Sequence, residues 1–226
     1  MTPHHLWIAI TDFGDSAVLI PLAGVVVMWI AQRHGLRLAV LWGVLLGLDA
    51  GVVALTKIAF MGWGIHPPGL DFTGLSGHSA LSMLVWPTIG ALLAAGQGLA
   101  MRRVLTLLGF LLAAAIVMSR LAIDVHTPPE AALGALWGAA LALLFLVPLG
   151  RATPTRSALA VWLLPLALAL PLVLTYGRIF PTNALLETVA CALSGRAQPY
   201  TRADLPCGRI PGGAALTSSA CADSSG

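Results

Sequence analysis

The amino-acid sequence predicts an all-α integral membrane protein: a bundle of six transmembrane helices with both termini outside the cytoplasm. Apolar residues make up 58% of the chain and charged residues 9%, whereas soluble domains have about 25% charged residues. The apolar residues form blocks long enough to cross a hydrocarbon core of about 30 Å. Backbone groups in lipid must be paired internally, and the blocks lack the alternation of a barrel, so we expect helices. No basic patch with interleaved aromatic residues points to a nucleic acid, which leaves the membrane as the expected partner.

The apolar blocks divide the chain into a membrane domain and two flanking segments. The blocks lie at about 17–31, 38–61, 76–95, 104–123, 128–149 and 159–176. Residues 1–16 lack the positive start of a cleaved signal peptide. We therefore expect a periplasmic N-terminal segment at 1–16, a membrane domain at 17–177 and a periplasmic tail at 178–226. Within the tail, 183–193 are predicted to form a short amphipathic helix, and the chain from Ser194 onward is predicted to be loosely ordered.

The distribution of arginines predicts the orientation of the helices. The first, third and fifth loops each contain two arginines: Arg33 and Arg37, Arg102 and Arg103, and Arg151 and Arg156. The positive-inside rule places these loops in the cytoplasm. The other loops and both termini then face the periplasm, as expected for a multi-pass protein of a bacterial inner membrane. In that oxidising compartment two of the three tail cysteines (Cys191, Cys207 and Cys221) could pair, or all three could remain thiols.

Three polar clusters lie at the ends of apolar blocks, all on the predicted outer face. Lys57 lies near the end of the second block, Ser76-Gly77-His78 opens the third, and residues 119–126 end the fourth. Ionisable groups at membrane depth are costly and usually mark functional sites. Asp49, near the middle of the second block, is expected to be a buried hydrogen-bonding residue facing the bundle.

The cluster at 76–78 has the features of a phosphate-binding helix start. Ser76 is a favoured N-cap, and Gly77 lets the backbone approach a ligand closely. The first N–H groups of a helix have no internal partner, and the helix dipole favours a negative charge there. The alternative is an ordinary capped helix start with an incidental His78.

Cationic side chains in the other clusters could bind the same phosphate. The planar guanidinium of Arg120 matches phosphate oxygens in a bidentate way, although Asp124, one turn on, could instead form an ordinary ion pair with it. Lys57 could supply a second positive charge or simply extend to the membrane interface.

The segment after Arg120 combines a histidine with a predicted helix start. Thr127-Pro128-Pro129-Glu130 fits a capping box, with Thr127 as the cap and Glu130 reaching back to its N–H group. The same carboxylate could orient the His126 imidazole and favour its reactive tautomer. The two roles of Glu130 are compatible.

With these residues assembled, the chain resembles the type 2 phosphatidic acid phosphatase superfamily of membrane lipid phosphatases. The third motif of that family, Ser-Arg, five residues and His, is present as Ser119-Arg120 and His126. The second motif, Pro-Ser-Gly-His, is present as Ser76-Gly77-His78, with Leu75 where proline is usual. The six-helix layout is similar as well, so the resemblance covers about 17–176.

The chain departs from the family pattern at two further places. The first motif is a lysine followed after six residues by Arg-Pro; Lys57 represents it, but Gly64 stands where arginine is usual. Glu130 stands where the family has aspartate. His66, which precedes Pro67, is a hypothetical substitute for the missing arginine.

The resemblance implies a phosphatase mechanism without cofactor or metal. His126 would attack phosphorus and form a phosphohistidine, Glu130 would orient it, and His78 would protonate the leaving oxygen. Negative charge on the phosphoryl oxygens would be neutralised by Lys57, Arg120 and the backbone around Ser76 and Gly77.

Three functions are consistent with these residues. The first is dephosphorylation of a lipid phosphate or diphosphate at the outer face, with polyprenyl diphosphate, phosphatidic acid and phosphatidylglycerol phosphate as candidate substrates. The second is a lipid phosphotransferase that uses the same phosphohistidine. The third is a non-catalytic lipid-binding or transport homologue; the altered first motif favours it, and the two intact motifs weigh against it.

Overall fold

The computed structural model describes residues 3–153 and 160–205, and these residues form helices without any strand. The all-α class is therefore confirmed. In chain order the helices are α1 Pro3–Asp12, α2 Ser16–Arg33, α3 Leu36–Trp63, α4 Gly77–Leu93, α5 Leu99–Ala122, α6 Pro128–Arg151, α7 Ala160–Thr175 and α8 Thr182–Ser194, followed by a 3-10 turn at Arg202–Asp204.

Several helices are suited to crossing a membrane. Within the described residues, four stretches are long and apolar enough: His4–Arg33, Leu36–Trp63, Leu99–Ala122 and Pro128–Arg151. Gly77–Leu93 and Leu163–Thr175 are apolar but shorter. Large apolar side chains on the outside of the bundle, such as Leu136 and Val173, are 68% and 78% exposed, as expected of a lipid-facing surface. The chain is a multi-pass membrane protein; the number of crossings and their direction stay predictions.

Helix α4 occupies the centre of the bundle and packs against α2, α3, α5, α6 and α7. Glycines on two neighbours allow the backbones to come very close. A Cβ atom at Gly138 of α6 would lie 2.0 Å from the carbonyl oxygen of Ala80, and one at Gly109 of α5 would lie 2.4 Å from that of Trp86. Such small residues are typical of tightly packed membrane helices. Gly138 brings α6 against the start of α4, where the second and third motifs meet, and Gly109 brings α5 against a later turn of α4.

The buried Asp49 lies in α3 with no exposed surface. Its predicted burial is confirmed. Neither carboxylate oxygen has a hydrogen-bond partner within the described part of the chain, so the predicted hydrogen bond is not formed there.

Helix α1 was not predicted from the polar-to-mixed composition of residues 1–16. It packs against α5. The indole of Trp86 donates a hydrogen bond to the carbonyl oxygen of Phe13 (3.3 Å), and the hydroxyl of Tyr176 donates to that of Ala9 (2.9 Å). The N-terminal segment is therefore attached to the bundle on two sides.

The predicted helix at 183–193 is confirmed as α8, which packs against α3. The loosely ordered tail was a wrong prediction for residues 195–205, because these return to the end of α3. The N–H group of Tyr200 donates to the carbonyl oxygen of Met61 at 2.8 Å. Cys191 lies in α8, whereas Cys207 and Cys221 lie outside the described residues, as does the remainder of the predicted tail.

Candidate active site

The three polar clusters meet at one end of the bundle. The end of α3, the start of α4, the end of α5 and the start of α6 come together there. At the opposite end, the guanidinium of Arg102 donates to the carbonyl oxygens of Gly150 (3.2 Å) and Leu146 (3.4 Å). The polar clusters therefore lie at the opposite end of the helices from Arg102 and the end of α6, as the sequence predicted.

His126 and Glu130 form a buried polar pair at this end. The Nδ1 atom of His126 lies 2.8 Å from Glu130 Oε2, with 10% of the histidine side chain and none of the glutamate exposed. The Glu130 carboxylate also accepts hydrogen bonds from Thr73 N and Oγ1 (2.7 Å each) and from Thr127 N (3.1 Å). A carboxylate surrounded by donors acts as an acceptor, so the Nδ1 atom of His126 holds the proton and Nε2 keeps a free lone pair.

The protonation state of His126 is set mainly by burial. Burial lowers the pKa of His126, and the nearby charges of Lys57 and Arg120 lower it further, while the hydrogen bond to Glu130 opposes this effect. Because its ordinary pKa is about 6.5, the imidazole is neutral at neutral pH. A neutral imidazole with an unprotonated Nε2 is the form that can act as a nucleophile.

The start of α6 is joined to the start of α4 through the backbone. The predicted capping box at Thr127 and Glu130 is present. The hydroxyl of Thr127 donates to the carbonyl oxygen of Asp71 (2.8 Å), and the N–H group of Ser76 donates to the backbone carbonyl oxygen of Glu130 (3.2 Å). These bonds fix His126 relative to the helix start at 76–78.

Ser76 caps α4 as predicted, and its side chain is used inside the protein. Its hydroxyl oxygen accepts from the N–H group (3.4 Å) and the hydroxyl (3.0 Å) of Ser79, and Ser76 is fully buried. Gly77, the first residue of α4, lies beside Val53 of α3. The backbone N–H groups of this helix start, rather than the Ser76 hydroxyl, are the donors left for a ligand.

His78 lies beside an acidic residue that the sequence did not single out. Its Nε2 atom is 3.6 Å from Asp15 Oδ2. Asp15 also caps α2 by accepting from Ala17 N (2.8 Å) and accepts from Phe180 N (3.1 Å), which holds its carboxylate in place. A carboxylate at this distance stabilises the protonated imidazole. The position of Asp15, directly before an apolar block, was a usable signal for an N-cap.

Arg120 contacts the N-terminal segment rather than Asp124. Its guanidinium donates to Thr11 Oγ1 at 2.9 Å, and its buried Nε atom has no hydrogen-bond partner among the described residues. Asp124 is exposed and has a left-handed backbone (φ 55°), and no ion pair joins these two described residues. Arg120 interacts electrostatically with His78 and His126.

Lys57 lies at the edge of the same cluster. Its Nζ atom donates to Asn183 Oδ1 of α8 at 2.9 Å, and its charge interacts with those of Glu130 and Arg120. Gly74, with φ of 128°, passes so close that a Cβ atom there would lie 2.7 Å from Lys57 Cγ. The lysine is therefore held between α8 and the loop that leads into α4.

His66 does not join this cluster. Its described contacts are a hydrogen bond between Nδ1 and the carbonyl oxygen of Gly64 (2.8 Å) and an edge contact with the ring of Phe60. The structure instead brings an arginine that the sequence analysis missed. The Nη2 atom of Arg202 lies 3.0 Å from both carboxylate oxygens of Glu130, and Nη1 pairs with Asp71.

The arrangement combines a neutral histidine, a second histidine paired with a carboxylate and several cations around one point. Among the described residues, no three or more histidine, cysteine or acidic side chains are grouped as a metal site would require. A neutral nucleophile facing an acid and clustered positive charge is suited to transfer of an anionic group such as phosphoryl.

Comparisons with known proteins point the same way. The model of the PAP2 superfamily matches residues 58–153, which include His78, Arg120, His126 and Glu130. A protein of Klebsiella pneumoniae described as "Uncharacterized 22.5 kDa protein in cps region" is 40% identical over 202 residues, covering 88% of this chain and 97% of that protein. No solved structure matches the chain significantly.

Proposed function

The chain belongs to the PAP2 superfamily, a phosphatase family, and we propose that it removes phosphate from a lipid phosphate or diphosphate through a phosphohistidine on His126. The observation that carries this proposal is the 2.8 Å contact between His126 Nδ1 and Glu130, whose carboxylate is otherwise surrounded by donors. This contact leaves Nε2 as the free nucleophilic nitrogen of a buried, neutral imidazole.

In the first step, Nε2 of His126 attacks phosphorus while the bond to the leaving lipid oxygen breaks. His78 donates its proton to that oxygen, so the product leaves as an alcohol or, from a diphosphate, as a monophosphate. Glu130 stabilises the positive charge that develops on His126. Arg120, Lys57 and the N–H groups at the start of α4 neutralise the phosphoryl oxygens.

In the second step, water attacks the phosphohistidine. His78, now neutral, accepts a proton from the water, and the bond between Nε2 and phosphorus breaks. Inorganic phosphate leaves and both histidines return to their starting states. The N–P bond formed in the first step is the one broken in the second, so the cycle consumes only lipid phosphate and water.

The position of the site supports a lipid substrate. The site lies at the end of a bundle whose sides are apolar and exposed, so a phosphate headgroup can reach it while the tail stays in the hydrocarbon. The arginine-rich loops lie at the other end, and by the positive-inside rule the site faces the periplasm of a bacterial inner membrane. Polyprenyl diphosphate, phosphatidic acid and phosphatidylglycerol phosphate are the substrates to test.

The test is phosphate release by protein purified in detergent, over that panel of lipids, with and without a chelator. His126→Ala is the inactive variant, and His5→Ala, which removes an exposed histidine of α1, is the matched control. We expect release by the wild type and His5→Ala that His126→Ala abolishes. An acid-labile phosphoprotein formed from a radiolabelled lipid should disappear in the same variant.

The same assay separates the competing functions. A phosphotransferase would give an acid-labile phosphoprotein and release little phosphate, and with an added acceptor alcohol the phosphoryl group would appear on that alcohol. A non-catalytic homologue would give neither product, and release that is equal in His126→Ala and the wild type would refute the proposed nucleophile.

A further inference from the structure

We propose that residues 198–205, here called the strap, complete the active site by holding Arg202 against Glu130, so that Arg202 is a positioning residue for the His126 nucleophile. This inference rests on the proposed function. The role proposed for Arg202 differs from the roles of the motif residues, because Arg202 acts on His126 through Glu130.

The strap is fixed to the end of α3 by specific contacts. Tyr200 N donates to the carbonyl oxygen of Met61 at 2.8 Å, and the Tyr200 ring would lie 3.4 Å from a Cβ atom at Gly64. The guanidinium of Arg196 lies 3.9 Å from the centre of the Tyr200 ring, a cation–π contact. Gly64 has φ of 67°, a left-handed conformation that favours glycine. A residue with a side chain at 64 would therefore have a strained backbone, and its Cβ atom would be in van der Waals contact with the ring.

A local hydrogen-bonded turn presents Arg202 to the site. Asp204 Oδ2 accepts from Thr201 N (2.7 Å) and Thr201 Oγ1 (2.8 Å), which closes the 3-10 turn at 202–204. The Arg202 guanidinium then lies against both carboxylate oxygens of Glu130, with a further contact to Asp71. The arginine side chain is 40% exposed and the glutamate side chain fully buried, so Arg202 covers Glu130 from the solvent side.

Glu130 needs this cation because it is a buried charge. Its other donors, Thr73, Thr127 and His126, are neutral groups. A buried carboxylate without a cation attracts a proton. Either Glu130 stays charged and His126 becomes protonated at both nitrogens, or Glu130 takes the Nδ1 proton and His126 is protonated at Nε2 instead. Each outcome removes the free Nε2 lone pair. Arg202 therefore stabilises the state in which Glu130 is charged and His126 is neutral.

No other cation among the described residues makes this contact. Lys57 is hydrogen-bonded to Asn183, and Arg120 to Thr11. Both lie near enough to interact electrostatically with His126, but the described contacts give the carboxylate of Glu130 only one guanidinium partner, Arg202.

The experiment compares Arg202→Gln and Arg202→Lys with Arg178→Gln, the removal of an exposed arginine in the loop before α8. The kcat and KM for phosphate release are measured from pH 5 to 9. For Arg202→Gln we expect a loss of about tenfold to 100-fold in kcat, with KM near the wild-type value because no substrate contact is lost. Arg202→Lys should recover part of kcat, and Arg178→Gln should match the wild type.

A second readout needs no substrate. Nitrogen NMR of histidine-labelled protein in detergent, assigned with His126→Asn, reports the tautomer and the pKa of His126. The charged groups that face His126 are Glu130 on α6, Lys57 on α3, Arg120 on α5 and His78 on α4, and Arg202→Gln leaves all four in place. We expect the pKa of His126 to rise in Arg202→Gln and to stay unchanged in Arg178→Gln.

The two readouts separate the inference from the function. A wild type without phosphate release whose His126 pKa still depends on Arg202 would refute the proposed function and support the positioning role. Unchanged kcat together with an unchanged His126 pKa in Arg202→Gln would overturn the inference, and so would a rise in kcat, which would mean that the strap restrains the site. The thermal unfolding midpoint of each variant shows whether it keeps its fold. If Arg202→Gln does not, the kcat and the His126 pKa of Arg202→Lys are compared with those of the wild type instead.

Discussion

Replacing Glu130 with glutamine tests the central pair with almost no change of shape. One carboxylate oxygen becomes an NH2 group, which must face either the Thr73 donors or His126 and Thr127 N. If it faces His126, the imidazole must accept at Nδ1, and the proton moves to Nε2, the nucleophilic position. The analogous aspartate-to-asparagine change in a serine protease triad costs about 10⁴ in kcat. We expect a loss of about 10³ to 10⁴, equivalent to about 4 to 5 kcal/mol of transition-state stabilisation.

The same change weakens the fold. Hydrogen bonds to a charged group contribute about 1.5 to 3 kcal/mol each, and a half-exposed arginine partner contributes less. We expect the free energy of unfolding to fall by about 2 to 4 kcal/mol.

We would measure kcat for phosphate release and the thermal unfolding midpoint for Glu130→Gln, for Glu130→Asp and for the wild type. Glu130→Asp keeps the charge but shortens the side chain, so it should retain the tautomer and lose only about tenfold to 100-fold through misplacement of His126. If Glu130→Gln is folded and within a few-fold of the wild type, Glu130 serves only to cap α6, and the reasoning about the tautomer is refuted.

Three further predictions concern the acid, the pH dependence and the packing. Because burial lowers the pKa of His126 and the neutral form is the nucleophile, the decline of kcat/KM on the acid side should begin only below about pH 6.5; an acid-side decline that begins above pH 7 would contradict this. Asp15→Asn should slow lipid phosphate hydrolysis about tenfold, because His78 loses the partner that stabilises its proton, but should leave p-nitrophenyl phosphate, whose leaving group needs no proton, nearly unaffected. Gly138→Ala should lower stability by about 1 to 3 kcal/mol through overpacking, whereas Gly47→Ala, with nothing within 4 Å of its Cβ position, should be neutral or stabilising in the same thermal unfolding assay.

The helices were largely predictable because their signals are local. Apolar blocks set their approximate extents, the cap at Ser76 set the start of α4, and the capping box at Thr127 and Glu130 set the start of α6. The pairing of Glu130 with His126 was also predictable, because four residues separate them across one helix start. Such features need only the sequence within one turn of the residue concerned.

Asp15 and Arg202 were missed because their contacts join distant parts of the chain. Asp15 meets His78 from the turn between α1 and α2, and Arg202 meets Glu130 from the far end of the described chain. The composition around Arg202 is typical of a disordered tail, and only three-dimensional proximity distinguishes this arginine from its neighbours in sequence. The ion pair of Arg120 with Asp124, an alternative that their spacing suggested, is not formed, because α5 ends before Asp124 and the left-handed backbone of Asp124 breaks the helical repeat.

Glycine at position 64, where the family has arginine, lies beside the strap. From the sequence, the missing arginine was the one feature that favoured a non-catalytic homologue. In the fold, Gly64 has a left-handed backbone that favours glycine, and a Cβ atom there would contact the ring of Tyr200. Glycine at 64 is therefore suited to the docked strap. The glycine then has a structural role in the docked strap, and its presence no longer favours the loss of catalysis.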